Sequence, residues 1–363
     1  MSDVKQKRKL FLLSSSPHIV SPVNSKMLMG NMYIALAPVT IFAVIVFGRL
    51  ALLNIVTAMA SAIAGEALFR LLIKQPVRIK DLSAGITGLL LALVIPPTIP
   101  LWMTALGSFF AVIVAKEFFG GLGANIFNPA LIGRAFLLMS FPAAMTTWQQ
   151  PVTKLALEPD AVSSATYITG ATPLGLIKYG DSISEISSSF TEKGLPESIS
   201  YTDTLKTLFF GYHYGSAGET SIFLILASFL FLLITKTISW HIPVAMILSA
   251  FITSLFLDLG DPLFSILSGG LFFGAVFMAT DYVTSPFSSR GKIIFGAGIG
   301  IISILIRKYG AYPEGVCYAI LIMNAAVPFL NKILPRKYGY VKKTKPKRAA
   351  VSKGDGASKG DGV

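Results

Sequence analysis

Apolar residues in this chain of 363 residues come in long runs separated by short polar punctuation. The runs are about 17–25 residues long, which is what an α-helix needs to cross a ~30 Å hydrocarbon core at about 1.5 Å per residue. They predict ten spans, at roughly 31–48, 51–72, 82–97, 100–118, 126–145, 219–238, 241–258, 262–280, 293–307 and 312–330. The third and ninth are short, and Pro96-Pro97 interrupts the third. The pattern therefore predicts an all-α polytopic membrane protein: an N-terminal segment (1–30), a five-helix block (31–145), a polar stretch (146–218), a second five-helix block (219–331) and a tail (332–363). An odd number of spans per block makes the second block enter the membrane from the opposite face, so any repeat is inverted. Gly85-Ile-Thr-Gly88 parallels Gly270-Leu-Phe-Phe-Gly274 across the halves. Glycine-rich helices packing closely in a membrane would look the same without any repeat.

Composition agrees with the pattern. Hydrophobic residues make up 53% of the chain and charged residues 13%, against about 25% charged in ordinary soluble domains. Lys and Arg are placed unevenly: Lys5, Lys7, Arg8 and Lys9 before span one, Lys74, Arg78 and Lys80 after span two, Lys236 after span six, Arg290 and Lys292 after span eight, and many more in the tail. Ten spans put all of these on one side, the cytoplasm by the positive-inside rule. The 146–218 stretch then falls outside, and its acids (Glu158, Asp160, Asp181, Glu185, Glu192, Glu197, Asp203) outnumber its lysines (Lys154, Lys178, Lys193, Lys206). Arg49 and Arg307-Lys308 dissent. The net charge of +13 is accounted for by cytoplasmic loops and a basic tail near anionic lipid, with no nucleic acid required. The tail from Lys353 onward is low in complexity and is expected to be disordered. The polar, basic start is followed by no short apolar run with a cleavage site, so no cleaved signal peptide is expected. The single cysteine, Cys317, excludes an intramolecular disulfide and any cysteine-based iron–sulfur or zinc site built by this chain alone.

Candidate chemistry concentrates in polar segments at helix ends. Lys116-Glu-Phe-Phe-Gly-Gly-Leu-Gly-Ala-Asn-Ile-Phe-Asn-Pro129 joins spans four and five, and Thr280-Asp-Tyr-Val-Thr-Ser-Pro286 ends span eight. Irregular backbone near membrane depth is tolerated only where protein or a water-lined cavity covers it. Amide and hydroxyl groups there suit the polar edge of a planar ring, although both segments would also serve as ordinary connecting loops. Glu66, Arg134 and Glu314 are ionisable residues within or beside spans and are candidates for ion coupling. The alternative for Glu66 is a contact near the inner end of its helix, and for Arg134 snorkelling or pairing. His18, His213 and His241 are far apart and make no metal site, and His213 reads as an interfacial loop residue.

Several runs together resemble one family. Ser15-Ser-Pro-His-Ile19, Asp81-Leu-Ser-Ala-Gly-Ile-Thr-Gly88, the 116–129 segment, Gly170-Ala-Thr-Pro-Leu174, Ala279-Thr-Asp-Tyr-Val-Thr-Ser-Pro286 and Lys308-Tyr-Gly310 occur in order over about residues 15–335. They resemble the D subunits of Rnf electron-transport complexes and the related B subunits of sodium-pumping NADH:quinone reductases. The resemblance implies ten helices in a urea-transporter-like fold of two inverted repeats. It implies FMN held by a phosphoester to a threonine of the extracytoplasmic loop, and a second, non-covalent flavin such as riboflavin in the helix bundle. It also implies a complex with the A, B, C, E and G subunits of Rnf that links reduced ferredoxin to NAD⁺ and moves Na⁺ or H⁺ across the cytoplasmic membrane, with a flavin transferase for maturation.

The attachment motif is split in this sequence. Thr166 keeps Asp160 six positions upstream and Ser163, but lacks the following Pro-Leu. Thr172 keeps Gly170, Ala171 and Pro173-Leu174, but has Thr166 where the acid belongs. A transferase with a Mg²⁺-bound donor favours a nearby carboxylate, which argues for Thr166. Position relative to the following helix argues for Thr172, for which helix capping ahead of Pro173 is the plain structural role. Thr166 is the slightly preferred site and Thr172 the close alternative. Gly121, Asn125, Asn128, Asp281 and Thr284 are the candidates around the second flavin. Two further readings remain: a urea-transporter-like small-solute permease, which needs no transferase signal in its outer loop, and an unmodified membrane scaffold for a redox complex.

Overall fold

The computed structural model describes residues 24–76, 81–149, 169–170, 172–178, 201–211, 213–257 and 261–332. Its first helix, α1 (Ser25–Leu72), begins at an Asn24 cap whose side chain accepts from the Met27 amide. Its 48 residues would reach about 72 Å at 1.5 Å per residue, far more than one bilayer. The helix breaks at Gly48, whose φ of 69° and ψ of −148° suit a residue without Cβ. The break separates 25–47 from 49–72, close to the limits expected for spans one and two.

Next comes α2 (Ser83–Val94), buried on every side, as expected of a helix that is apolar all round. It ends before Pro96-Pro97, and the freed carbonyl of Pro97 is taken by Asn54 Nδ2 of α1 at 2.7 Å. Asn54 Oδ1 in turn accepts from Thr104 (2.6 Å) on α3 (Leu101–Ala115). A 3-10 turn (Glu117–Phe119) and a glycine-rich loop lead to α4 (Pro129–Ser140) and the short α5 (Pro142–Met145).

The expectation of an all-α chain needs one small correction. β1 (Trp148–Gln149) pairs antiparallel with β2 (Thr169–Gly170), Trp148 opposite Gly170. Then follow α6 (Pro173–Lys178), α7 (Tyr201–Phe210), α8 (Ile222–Ile234) and α9 (His241–Leu257).

Span eight departs from a continuous helix. It is α10 (Pro262–Leu267), an interruption in which Ser268 is extended and Gly269 has a positive φ, then α11 (Leu271–Phe273) running into a π turn (Gly274–Met278). Two adjacent glycines in an apolar run supply the break. The described chain closes with α12 (Ser289–Tyr309) and α13 (Val316–Leu330).

Three described helical stretches are long and apolar enough to cross a membrane: α1, Leu101–Phe119 and α12. Five shorter apolar helices, α2, α4, α8, α9 and α13, accompany them. Polar residues such as Thr104, Ser108, Ser254 and Asn324 are buried between helices. Large apolar residues such as Ile41, Val56, Leu248, Phe256 and Ile301 face outward. Outward apolar faces on this scale suit lipid. The α9–α12 contact depends on small residues: a Cβ on Gly296 would lie 2.6 Å from Ile242 O, and one on Gly300 2.4 Å from Met246 O, so only glycine permits the approach.

Candidate functional site

A cavity of about 70 Å³ opens where the loop between α3 and α4 meets the end of the π turn. Apolar walls come from Met29 and Met32 of α1, Ile86 and Leu90 of α2, and Leu122 and Phe277. Polar groups gather along the remainder: Ser83, Thr87, Lys116, Asn125, Thr280 and Asp281. Apolar walls with a few polar groups suit a heteroaromatic ring system.

The local sequence explains how these groups are held. Asn128 caps α4, its Oδ1 accepting from Ala130 N at 3.0 Å and Leu131 N at 3.4 Å, with Pro129 at the first helical position. Its Nδ2 donates to Met278 O (3.2 Å) at the end of the π turn, so the loop of one half is tied to the break of the other. The Asn324 amide, oriented with its nitrogen toward Thr284 O, donates there at 3.2 Å and accepts from Asn128 N at 3.2 Å. Thr284 Oγ1 donates to Asp281 Oδ2 at 3.0 Å. The Tyr282 hydroxyl donates to Thr237 O.

Of the residues expected around a ring, Asn125, Asn128 and Asp281 line the cavity. Thr284 stands one step behind, bonded to Asp281. Gly121 is not on the wall: with φ +91° it lets the chain pass Arg70, whose Nη2 would be 2.6 Å from any Cβ there.

Two lining residues carry no individual signal in the sequence. Lys116 Nζ donates to Glu66 Oε2 at 2.6 Å and to Ser83 Oγ at 2.6 Å, and the Ser83 hydroxyl passes on to Asp81 Oδ1 at 2.9 Å. Behind Lys116, Arg70 Nε lies 3.2 Å from Glu117 Oε2 and 3.6 Å from Glu66 Oε1. All four charged side chains of this lysine cluster are at most 3% exposed. Membership of the Asp81-Leu-Ser and Lys116-Glu runs marks Ser83 and Lys116 only as part of a motif and gives no hint of the pairing with Glu66.

A second buried cluster centres on Arg134 of α4. It pairs with Glu314, just before α13, and its Nη1 lies 3.8 Å from Glu219 Oε1, just before α8. Nearby Arg307 of α12 donates to the carbonyls of Ser265 and Ser268, freed where α10 ends. Arg134 is thus paired with Glu314. His213 is buried, with Nδ1 2.9 Å from Tyr214 O, and burial pushes its imidazole pKa down.

In the polar stretch, Thr172 is buried and its Oγ1 accepts from Gly175 N at 3.2 Å, capping α6. Lys178 Nζ donates to Gly310 O and Tyr312 O, fixing α6 to the α12–α13 turn. Gly170 lies in β2. Asp160, Ser163, Thr166 and Ala171 lie outside the described residues.

A model of the NQR2, RnfD, RnfE family matches residues 12–339. The chain is 42% identical over 346 residues to the D subunit of the proton-translocating ferredoxin:NAD(+) oxidoreductase complex of Clostridium ljungdahlii, covering 93% of this chain and 99% of that one. It is 39% identical over 339 residues to the D subunit of the Na(+)-translocating ferredoxin:NAD(+) oxidoreductase complex of Acetobacterium woodii, covering 93% and 98%. It is 37% identical over 344 residues to the D subunit of the ion-translocating oxidoreductase complex of Stutzerimonas stutzeri, covering 89% and 94%. By the extent of the family match and the level of these identities, the chain belongs to the NQR2, RnfD, RnfE family.

Proposed function

We propose that this chain is the D subunit of an ion-translocating ferredoxin:NAD⁺ oxidoreductase, a membrane flavoprotein that relays electrons within a complex with the A, B, C, E and G subunits of Rnf. The observation that carries the proposal is near end-to-end similarity to the D subunits of such complexes. Relatives named for H⁺ and for Na⁺ are almost equally similar, so the proposal is for cation translocation without a choice of ion. The site is the cytoplasmic membrane, with both termini inside and the 146–218 stretch outside, as the distribution of Lys and Arg supports.

The ten-span, urea-transporter-like inverted repeat belongs to the same reading. It is supported by matched cation contacts: Lys116, just after α3, bonds to Ser83 at the start of α2, and Arg307, near the end of α12, bonds to Ser265 and Ser268 around the break after α10. In the repeat, α3 and α12 are the fourth spans, and α2 and the broken segment 262–278 are the third.

The cofactors proposed are FMN joined by a phosphoester to Thr166, installed by a flavin transferase, and a non-covalent flavin, riboflavin or its like, in the cavity. Thr172 is the alternative attachment site, but its hydroxyl is buried and engaged as a helix cap, which supports Thr166. The cavity suits a flavin on the chemistry of its walls. Asn125 and Asp281 offer an amide and a carboxylate to ring heteroatoms, and Lys116 offers an ammonium. A bound flavin supplies the ability to take up one or two electrons, which joins one-electron iron–sulfur partners to other carriers. The chain's own residues orient the ring, keep bulk water from it and set its charge environment. Asn128 and Asn324 keep both helix breaks, and therefore the cavity's shape, in register.

The test is ferredoxin-dependent NAD⁺ reduction by membranes from the source organism with and without this chain. Loss on deletion and return on re-expression is the expected result. Full activity without the chain would overturn the assignment.

A further inference from the structure

Among the described residues lining the cavity, Lys116 carries the one positive charge and Asp281 the one negative charge. Lys116 is 2% exposed, and a buried ammonium is tolerated only when paired and hydrogen-bonded. Glu66 and Ser83, each 2.6 Å from Nζ, provide this. Three N–H donors are available on an ammonium, and these two contacts use two of them. Glu66 is also anchored from behind by Arg70 at 3.6 Å, and Arg70 is shared with Glu117 at 3.2 Å. The lysine is therefore a fixed point charge on the cavity wall, braced from behind by Glu66, Arg70 and Glu117, which do not themselves line the cavity.

We infer that Lys116 is the charge-compensating residue of the flavin in this cavity: its ammonium, held by Glu66 and Ser83, stabilises the electron-rich reduced ring over the oxidised one and so raises the ring's potential. The inference rests on the reading that a flavin occupies the cavity. In the step concerned, the reduced electron donor of the complex is oxidised by one electron, the ring is reduced by one electron, and no bond of Lys116 forms or breaks. The added negative charge sits in a low-dielectric site where a nearby cation counts for far more than in water. Glu66 opposes this effect by partly neutralising the ammonium, and Asp281 opposes it from its own part of the wall. The sign of each contribution follows from charge alone, which separates an electrostatic role from a merely structural one.

The experiment uses the full-length chain in detergent, produced in a host without flavin transferase so that no tethered flavin interferes, with riboflavin as the probe. Fluorescence quenching reads binding, and spectroelectrochemical titration reads the midpoint potential of the bound ring. Lys116→Met is expected to lower the reduced-to-oxidised ratio at a given potential about tenfold, a shift of about 59 mV for a one-electron couple. Glu66→Gln is expected to shift the ratio in the opposite direction, and Lys116→Arg to remain near wild type. Bound riboflavin with wild-type potentials in both Lys116→Met and Glu66→Gln, or shifts of the same sign in the two, would overturn the inference. If Lys116→Met does not fold or does not bind, the sign of the Glu66→Gln shift decides. Failure of the wild-type chain to bind riboflavin is a different result: it removes the flavin from the cavity, and the role of Lys116 falls with it.

Discussion

The lysine cluster and the arginine cluster each join two acids and two bases beside a break in regular helix, all four buried in the first and Glu314 only partly buried in the second, yet they are built for different ends. In the first, Lys116 is held by side chains, Glu66 and Ser83, and borders a cavity. In the second, Arg307 binds the backbone carbonyls of Ser265 and Ser268, and Arg134 bridges Glu314 and Glu219. No described residue of the arginine cluster lines the cavity. A guanidinium is a rigid fork suited to two fixed acceptors, while an ammonium is a compact point charge on a flexible stem. One cluster therefore pins a broken helix to its neighbours, and the other presents charge to a binding space. A repeated scaffold can carry a structural lock at one break and a cofactor-facing charge at the other.

The largest effect should come from separating Arg134 from Glu314. Arg134→Met leaves the buried Glu219 and the partly buried Glu314 without their partner, and removing one member of a buried pair costs about 3–5 kcal/mol. The melting temperature of the purified chain should fall steeply, and adding Glu314→Met should recover part of the loss. A single variant as stable as wild type would show that the cluster does not lock the fold.

Arg307→Lys comes next. Lysine cannot satisfy both carbonyls with the same geometry, and one lost charge-assisted hydrogen bond is worth about 1.5–3 kcal/mol. Hydrogen exchange should quicken at the amides around 262–278 before it changes elsewhere. Uniform exchange across the bundle would contradict a local lock.

Asn128→Ala removes the α4 cap, at a cost of about 1 kcal/mol, together with the link to Met278. It should weaken riboflavin binding more than it lowers melting temperature, because it loosens the cavity's frame. A stability loss with unchanged binding would separate the frame from the site.

The smallest effect belongs to Thr172→Val, which loses only the α6 cap, about 1 kcal/mol. Covalent flavin should persist, read as fluorescence of the denatured band under ultraviolet light. Loss of that fluorescence with Thr166 intact would move the attachment to Thr172.

Much of this layout is legible in the chain because membrane helices declare themselves by length and apolarity. Each expected span overlaps described helix, and the Asn128-Pro129 stop and start is present as a capped α4. Asn125, Asn128 and Asp281 stand out in the sequence as polar side chains at helix ends, where a ring-facing role and an ordinary connecting-loop role are both open. The interruption at Ser268–Gly270 is hidden because its flanks, Leu263 to Leu267 and Leu271 to Phe273, are as apolar as any unbroken span. Lys116 and Ser83 are hidden for another reason. Their value lies in contacts with Glu66, 50 residues from Lys116, and a single sequence does not display such pairings. The same holds for Arg134 and Glu314, 180 residues apart.

Peptide mass spectrometry of the chain purified from a flavinylating host tests the redox account most directly. The account predicts a mass increase of one FMN less water on the peptide containing residues 162–178, with fragmentation placing it on Thr166. An unmodified peptide from a host that flavinylates its other proteins would contradict it.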